Sequence, residues 1–292
     1  MKRLFTCIIA TMALLSLSAQ TNPCKTFFCA DFNQGKIFEF QDGKIVWEHK
    51  APISNDLWVL NNGNRLFTTG HGVLEVTVEK DTVFYYSSKS EIFACQRLKN
   101  GNTFIGECTS GRLLEVNKKG EIVKELKIGE GDPYFMRNAR RLDNGHYLVA
   151  HYGGKRVAEY DKKGNVVWEA PIAGGAHSVA RLKNGHTVVA ATDKAQDPKI
   201  IEFDKKGNIV WELSNADFED NNPLQFMSGF QHLPESDTFV LTNWKGHNMQ
   251  TDVPLILWVS RDKKILGTLP AHERLVTVAS VFVKTKSKKS YH

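Results

Sequence analysis

With 292 residues, 41% of them hydrophobic, the chain is long enough for one large or two small globular domains. The formal net charge of +6 suggests a nucleic-acid-binding protein only until the charges are placed along the chain. Six basic residues lie at its two ends: Lys2, Arg3, Lys284, Lys286, Lys288 and Lys289. The central part is therefore close to neutral, which excludes the basic surface of a nucleic-acid-binding protein.

The first 20 residues have the layout of a secretory signal peptide. Two basic residues precede an apolar run at 4–17, and small and polar residues follow at 18–20. We predict that residues 1–20 are cleaved and that the bacterial protein is secreted, periplasmic or held at the cell surface. No later stretch approaches the roughly 18 apolar residues of a membrane helix, so no membrane span is predicted.

Four cysteines follow the predicted leader, in a compartment that permits disulfides. They are Cys24, Cys29, Cys95 and Cys108. Four thiols allow three pairings, and the sequence does not choose among these or the alternative of buried free thiols.

A repeated motif dominates the middle of the chain. Residues 161–169 read Asp-Lys-Lys-Gly-Asn-Val-Val-Trp-Glu, and nearly the same residues return at 204–212. Weaker copies lie at 117–125 and 42–48. Self-similarity of this kind indicates a repeat architecture.

A second motif, Leu-x-Asn-Gly, marks a different turn. It occurs at residues 60–63, 98–101, 142–145 and 182–185, with a degenerate copy at 233–236. Asn-Gly between alternating apolar runs is typical of a β-hairpin with a type I′ turn, in which both central residues have positive φ. Each copy therefore predicts a hairpin.

Together the motifs define a unit of four short strands, clearest at 177–182, 187–192, 199–203 and 208–213. Such a unit, about 40–45 residues long, is the blade of a β-propeller. The second strands of six such units are predicted at 26–31, 65–69, 103–108, 147–152, 187–192 and 238–243. We predict an all-β, six-bladed β-propeller over residues 21–283, followed by a basic tail at 284–292.

The first blade lacks an inner strand of its own. The C-terminal run from Leu275 to Val283 has no following partner, so we predict that it completes this blade and closes the ring. Closure removes sheet edges that would otherwise be exposed.

Two sets of side chains recur at blade spacing. We interpret Trp47, Trp168 and Trp211 as wedges between neighbouring blades. The second set combines glutamates of third strands with arginines of inner strands: Glu39, Glu75, Glu115, Glu159, Glu202, Arg97, Arg141 and Arg181. We expect this set either to form ion pairs within each blade or to line a solvated face.

The motifs at 204–212 and 182–190 resemble the repeats of the quinoprotein-like (PQQ-like) propeller superfamily and its arylsulfotransferase-like relatives. The resemblance extends over nearly the whole mature chain. It implies an architecture rather than one function, since such repeats occur in dehydrogenases, sulfotransferases, assembly scaffolds and binding proteins. The quinone dehydrogenases have eight blades and a longer chain, so six blades imply no quinone cofactor.

The tight turns are expected on one face of the ring and the long loops on the other, where repeat proteins usually bind. The long loops are predicted at 51–56, 129–135, 193–198, 214–226 and 243–254. We predict a ligand-binding site on that face from His71, Arg137, His151, His177, Asp193, Asn243, Trp244 and His247. Guanidinium, imidazole and indole groups together suit a small polar, anionic or sugar-like ligand.

Three functions are compatible with this pattern. The first is a non-catalytic propeller that binds a small ligand or a partner protein on the long-loop face. The second, implied by the resemblance, is an arylsulfotransferase-like enzyme in which a channel-mouth histidine such as His177 acts on a sulfuryl group. The third is an envelope assembly scaffold.

The sequence favours the non-catalytic function, because it contains no phosphate-binding loop, nucleophile elbow or zinc-protease motif. His71, His151, His177 and His247 have no close-spaced ligand pattern, so no metal and no cofactor is predicted. We expect a monomer.

Overall fold

Short apolar runs separated by tight turns become strands throughout the chain. The computed structural model describes residues 26–192, 197–219, 222–246 and 252–284. These residues form six four-stranded antiparallel sheets arranged as the blades of a ring, which confirms the predicted six-bladed β-propeller. The helices they contain are two single turns of 3-10 helix, Asp132–Tyr134 and Asn215–Asp217, and neither is long enough to cross a membrane.

The strands of the described residues are numbered in chain order. They are Thr26–Asp31 (β1), Lys36–Gln41 (β2), Lys44–Lys50 (β3), Leu57–Val59 (β4), Arg65–Thr68 (β5), Gly72–Val76 (β6), Thr82–Ser87 (β7), Ile92–Arg97 (β8), Thr103–Glu107 (β9), Arg112–Val116 (β10), Ile122–Lys127 (β11), Met136–Arg141 (β12), Tyr147–His151 (β13), Arg156–Tyr160 (β14), Val166–Pro171 (β15), Gly175–Arg181 (β16), Thr187–Thr192 (β17), Lys199–Phe203 (β18), Ile209–Leu213 (β19), Met227–Leu233 (β20), Thr238–Asn243 (β21), Ile256–Ser260 (β22), Ile265–Leu269 (β23) and Val278–Phe282 (β24).

The first blade is assembled from both ends of the described chain. Its strand order is β24-β1-β2-β3, with Cys29 of β1 opposite Val281 of β24. The predicted closure by the C-terminal strand is therefore confirmed. Apolar side chains pack between neighbouring sheets, as where Phe27 of the first blade meets Trp258 of the sixth at a ring-centroid distance of 5.6 Å.

The Leu-x-Asn-Gly motifs form hairpins at the predicted places but with a different turn. Gly63 has φ of +88°, whereas Asn62 is not among the residues with positive φ. The Asn62 side chain instead accepts a hydrogen bond from the backbone N–H of Asn64 at 3.1 Å. The prediction of type I′ turns was wrong, because the asparagine stabilises a turn in which only the glycine needs the left-handed region.

The tryptophan column lies between blades, as predicted. Trp47 Nε1 donates to the carbonyl of Val78 in the second blade at 2.8 Å, and Trp211 Nε1 donates to the carbonyl of Arg261 in the sixth at 3.0 Å. The Trp211 ring also stacks on Phe239 of the sixth blade with centroids 4.9 Å apart.

The glutamates and arginines pair between blades, and the prediction of ion pairs within a blade was wrong. Arg181 Nη2 of the fifth blade lies 2.7 Å from Glu159 Oε2 of the fourth, and Arg65 of the second blade pairs with Glu39 of the first. Within one sheet the arginine of the first strand and the glutamate of the third are separated by about 10 Å. The arginine of the neighbouring blade packs directly against the glutamate and therefore pairs with it.

The three described cysteines are buried free thiols: Cys29, Cys95 and Cys108. Cys24, the predicted leader at 1–20 and the tail beyond residue 284 lie outside the described residues.

Candidate functional site

The antiparallel order of the strands separates the two faces of the ring. In the second to fifth blades each inner strand runs from the long loops to a Leu-x-Asn-Gly turn, and each second strand returns to the long loops. The face that carries the loops between second and third strands, and between one blade and the next, is called the long-loop face below. Arg137, His177 and Trp244 are all on this face, at the beginnings of β12 and β16 and just after β21.

Aromatic rings connect these three residues around the mouth of the channel. The His177 ring lies between Tyr152 and Phe226, with centroid distances of 5.0 and 4.6 Å. Phe226 contacts Trp244 at 5.3 Å, and Trp244 contacts Phe32 of the first blade at 6.1 Å. We call the following set the aromatic rim: Phe32, Phe93, Phe135, Arg137, Tyr152, His177, Phe226 and Trp244.

Arg137 completes the rim on the side of the third and fourth blades. Its Cζ lies 5.0 Å from the ring centroid of Phe93, 5.4 Å from that of Phe135 and 5.2 Å from that of Tyr152. Three rings at this distance stabilise a guanidinium by cation–π attraction. His177 is 7% exposed, whereas Arg137, Tyr152, Phe226 and Trp244 are half-buried and keep part of their surface open to solvent.

Two other predicted site residues belong to a structural position at the ends of the second strands. Each blade has a buried polar side chain there, and all six are at most 1% exposed: Asp31, Thr68, Glu107, His151, Thr192 and Asn243. Most of them hold the segment that leads into an inner strand. Thr68 Oγ1, for example, accepts from the backbone N–H groups of Asn55 and Asp56 at 3.0 and 3.2 Å.

Asn243 and His151 fit this structural position. Asn243 Oδ1 accepts from the backbone N–H of Gln225 at 2.9 Å, and its Nδ2 donates to the carbonyls of Pro223 and Pro254, both at 2.8 Å. His151 Nε2 lies 2.8 Å from the hydroxyl of Tyr160. Burial lowers the pKa of His151 to about 4, and the charge of Arg156 adds to this effect. The imidazole is therefore neutral near pH 7.

The remaining predicted site residues are not part of the aromatic rim. His71 is exposed in the short loop after β5, where its carbonyl accepts from the backbone N–H of Ser88. Asp193 and His247 lie outside the described residues. Within the described residues, no group of three or more His, Cys, Asp or Glu side chains is arranged to hold a metal ion.

The channel contains a buried ion pair that the sequence did not indicate. Arg140 of β12 donates to both carboxylate oxygens of Asp56, at 2.7 and 3.0 Å, and Asp56 lies two blades away, just before β4. The backbone N–H of Cys95, in the blade between them, donates to the same carboxylate at 2.9 Å. Burial raises the pKa of Asp56, and Arg140 opposes that effect.

A small cavity of about 10 Å³, roughly the space of one water molecule, lies beside this ion pair. Polar side chains of several blades contribute to its lining: Asn55, Asp56, Asn138, Arg140, Ser178, Ser228 and Ser280. Asn138 Oδ1 is buried and has no hydrogen-bond partner within the described residues. The channel interior is thus polar but narrow, and the ion pair blocks part of it.

Residues 136–248 match a family model described as outer membrane protein assembly factor BamB, a PQQ-like repeat family. A solved structure of a protein of unknown function from Bacteroides caccae is 21% identical, with a TM-score of 0.78, over 88% of this chain and 98% of that one. Residues 136–248 of the β-propeller thus carry PQQ-like repeats. The matched segment includes Arg137, Tyr152, His177 and Trp244.

Two further solved structures share the fold. A streptogramin B lyase is 15% identical, with a TM-score of 0.58, over 85% of this chain and 80% of that one. An inactive virginiamycin B lyase from Staphylococcus aureus with quinupristin is 14% identical, with a TM-score of 0.56, over 87% of each chain. At these identities the likeness shows the β-propeller fold alone. No curated protein sequence matches the chain.

Proposed function

We propose that this protein is an exported, non-catalytic propeller that binds a partner protein through its aromatic rim. The observation that carries the proposal is the continuous series of ring contacts from Arg137 through Tyr152, His177 and Phe226 to Trp244. Tyrosine, tryptophan, phenylalanine and arginine are enriched at the centres of protein interfaces, where they supply most of the binding energy. Export rests on the signal-peptide pattern at residues 1–20.

The shape of the channel favours a protein partner over a small ligand. Pockets for drug-sized ligands have volumes of roughly 300–1,000 Å³. The cavity beside the Asp56–Arg140 ion pair, of about 10 Å³, is far smaller than this range. A surface of half-buried rings around a narrow opening suits a broad contact with another protein. The match to a model described as an assembly factor also supports this function.

Site-specific photo-crosslinking in the native host tests this function. A photoreactive residue at Phe226 should give one discrete crosslinked partner, whereas the same residue at Val210, exposed on an outer strand, should not. The partner is then purified, and Tyr152→Ala and Trp244→Ala should each weaken its binding at least about tenfold, as expected for interface hot spots. Val167→Ala serves as the matched control, because Val167 is 51% exposed and remote from the rim.

Two results would contradict a non-catalytic protein-binding function. One is full binding of the crosslinked partner by both rim variants. The other is transfer of the sulfuryl group of 4-nitrophenyl sulfate to an added phenol, with release of 4-nitrophenol, by the purified protein but not by His177→Ala, which would support the arylsulfotransferase-like alternative.

A further inference from the structure

Arg137 differs from the other arginines of the described residues. Eight of the ten described arginines form ion pairs with carboxylates: Arg65, Arg97, Arg112, Arg140, Arg156, Arg181, Arg261 and Arg274. Arg141 makes no such pair but donates to the carbonyl of His146 at 3.3 Å. The guanidinium of Arg137 has neither an ion pair nor a hydrogen bond within the described residues.

The surroundings of Arg137 leave one part of its guanidinium available. Phe93, Phe135 and Tyr152 contact the group with their rings, and Nε is buried without a hydrogen-bond partner in the described chain. The two Nη nitrogens are not among the buried unpaired atoms, so they reach the surface. Stacking engages the faces of a guanidinium and leaves its edge, with the N–H donors, for another group.

The charge of Arg137 is poorly compensated by its neighbours. Glu91 and Arg137 both act on the thiol of Cys108, but within the described residues no ion pair joins Arg137 to a carboxylate. Partial removal of a cation from water is unfavourable unless an anion or acceptor replaces the lost hydration. A bound anion would supply the negative charge that the described residues do not place against Arg137.

A second cation lies on the same face. Lys245 follows Trp244 and is half-buried, and burial lowers the pKa of its ammonium group. The long-loop face therefore carries two partly desolvated cations, one at each end of the series of rings from Arg137 to Trp244.

We propose that Arg137, held in its aromatic cradle, binds a carboxylate of the partner protein and thereby orients that partner on the rim. This inference rests on the proposed function. A carboxylate is the anion whose planar shape matches the two parallel N–H bonds of a guanidinium edge. Phe93, Phe135 and Tyr152 would contact the apolar part of the residue that presents the carboxylate. The carboxylate comes from either the C-terminus or an acidic side chain of the partner.

Small model compounds test the cradle directly. In an NMR titration at low ionic strength, N-acetyl-phenylalanine offers an α-carboxylate, N-acetyl-aspartyl-phenylalanine amide offers a side-chain carboxylate, and N-acetyl-phenylalanine amide offers neither. We expect one or both of the carboxylates to bind and the neutral amide not to bind. The stronger of the two carboxylates identifies the source.

Variants of the arginine complete the experiment. Arg137→Gln should weaken carboxylate binding at least about tenfold, since a hydrogen-bonded charge is lost. Arg137→Lys should recover only part of it, because lysine lacks the planar fork. Arg274→Gln is the matched control: Arg274 also lies over an aromatic ring, Phe38, but already pairs with Glu48. Unchanged melting of the variants shows that binding, not folding, is affected.

The proposal is overturned if the neutral amide binds as well as the carboxylates, or if Arg137→Gln and wild type bind them equally. Its failure is distinguishable from failure of the proposed function. If Trp244→Ala abolishes binding of the crosslinked partner while Arg137→Gln does not alter it, the rim binds a protein but Arg137 does not recognise a carboxylate.

Discussion

Every blade has a buried polar residue at the end of its second strand, but the residue type differs from blade to blade. In four of the six blades this side chain accepts hydrogen bonds from backbone N–H groups of the adjoining segment, which would otherwise be buried without partners. Asp31 accepts from the backbone N–H groups of Val276 and Thr277, Thr192 from that of Met227, and Asn243 from that of Gln225. Aspartate, threonine and asparagine thus all accept backbone hydrogen bonds at this position.

His151 occupies this position in the fourth blade and should make the protein sensitive to acid. Its pKa is lowered to about 4 by burial, whereas an unfolded histidine has a pKa near 6.5. Between these values the unfolded state binds more protons than the folded state, so stability falls as the pH decreases from about 6.5 to about 4. The loss from this one residue should be on the order of 3 kcal/mol at the acidic end.

Urea unfolding at pH 7 and pH 4.5 measures this effect. His151→Gln, which cannot be protonated, should lose clearly less stability between the two pH values than the wild type does. His71→Gln, a substitution of an exposed histidine, is the control. An identical pH dependence in His151→Gln and wild type would show that another group governs the acid response.

Residues that meet through short-range structure were predictable from the sequence, and those that meet only through the ring were not. The Asn-Gly turns were placed correctly because the turn is decided within five residues. Asp56 and Arg140 are 84 positions apart and belong to the second and fourth blades. Nothing in the local pattern of either residue indicates the other. Tyr152 and Phe226 were missed for the same reason, because a phenylalanine or tyrosine in a loop shows no periodic signal.

At the scale of the elements, the glutamate, arginine and tryptophan columns form one repeated contact between blades. Arg181 pairs with Glu159 and also lies over the Trp168 ring, 5.2 Å from its centroid. Arg261 pairs with Glu202 and lies over the Trp211 ring at 5.0 Å. The sequence showed the columns but not the direction of pairing, since the spacing alone does not tell which blade a side chain faces.

A double-mutant cycle on Glu159→Gln and Arg181→Gln should measure a coupling energy of about 1–2 kcal/mol, because both side chains are largely buried and adjacent. The control pair is Lys99 and Asp143, which also joins two blades but has side chains that are 83% and 68% exposed. Its coupling should be near zero. Equal coupling in the two cycles would mean that the buried pairs contribute no more than surface contacts.

At the scale of the whole molecule, the ring is held closed by polar contacts as well as by strand pairing. Asp31 of the first blade accepts two backbone N–H groups just before β24, at 2.6 and 2.8 Å. Just after β24, the backbone N–H of Val283 donates to Gln231 Oε1 of the sixth blade, and Gln231 Nε2 donates to the Val283 carbonyl at 2.9 Å. The C-terminal strand is therefore fixed at both of its ends.

Truncation should separate the role of this strand from that of the tail. A chain that ends at Arg274 loses β24, exposes the edge of β1 and leaves the first blade without its inner strand, so its cooperative unfolding should be lost. A chain that ends at Lys284 keeps the strand and both polar contacts and should melt at nearly the wild-type temperature. Circular dichroism during heating measures both. If the shorter chain also melts cooperatively at the wild-type temperature, the ring does not depend on the C-terminal strand for its stability.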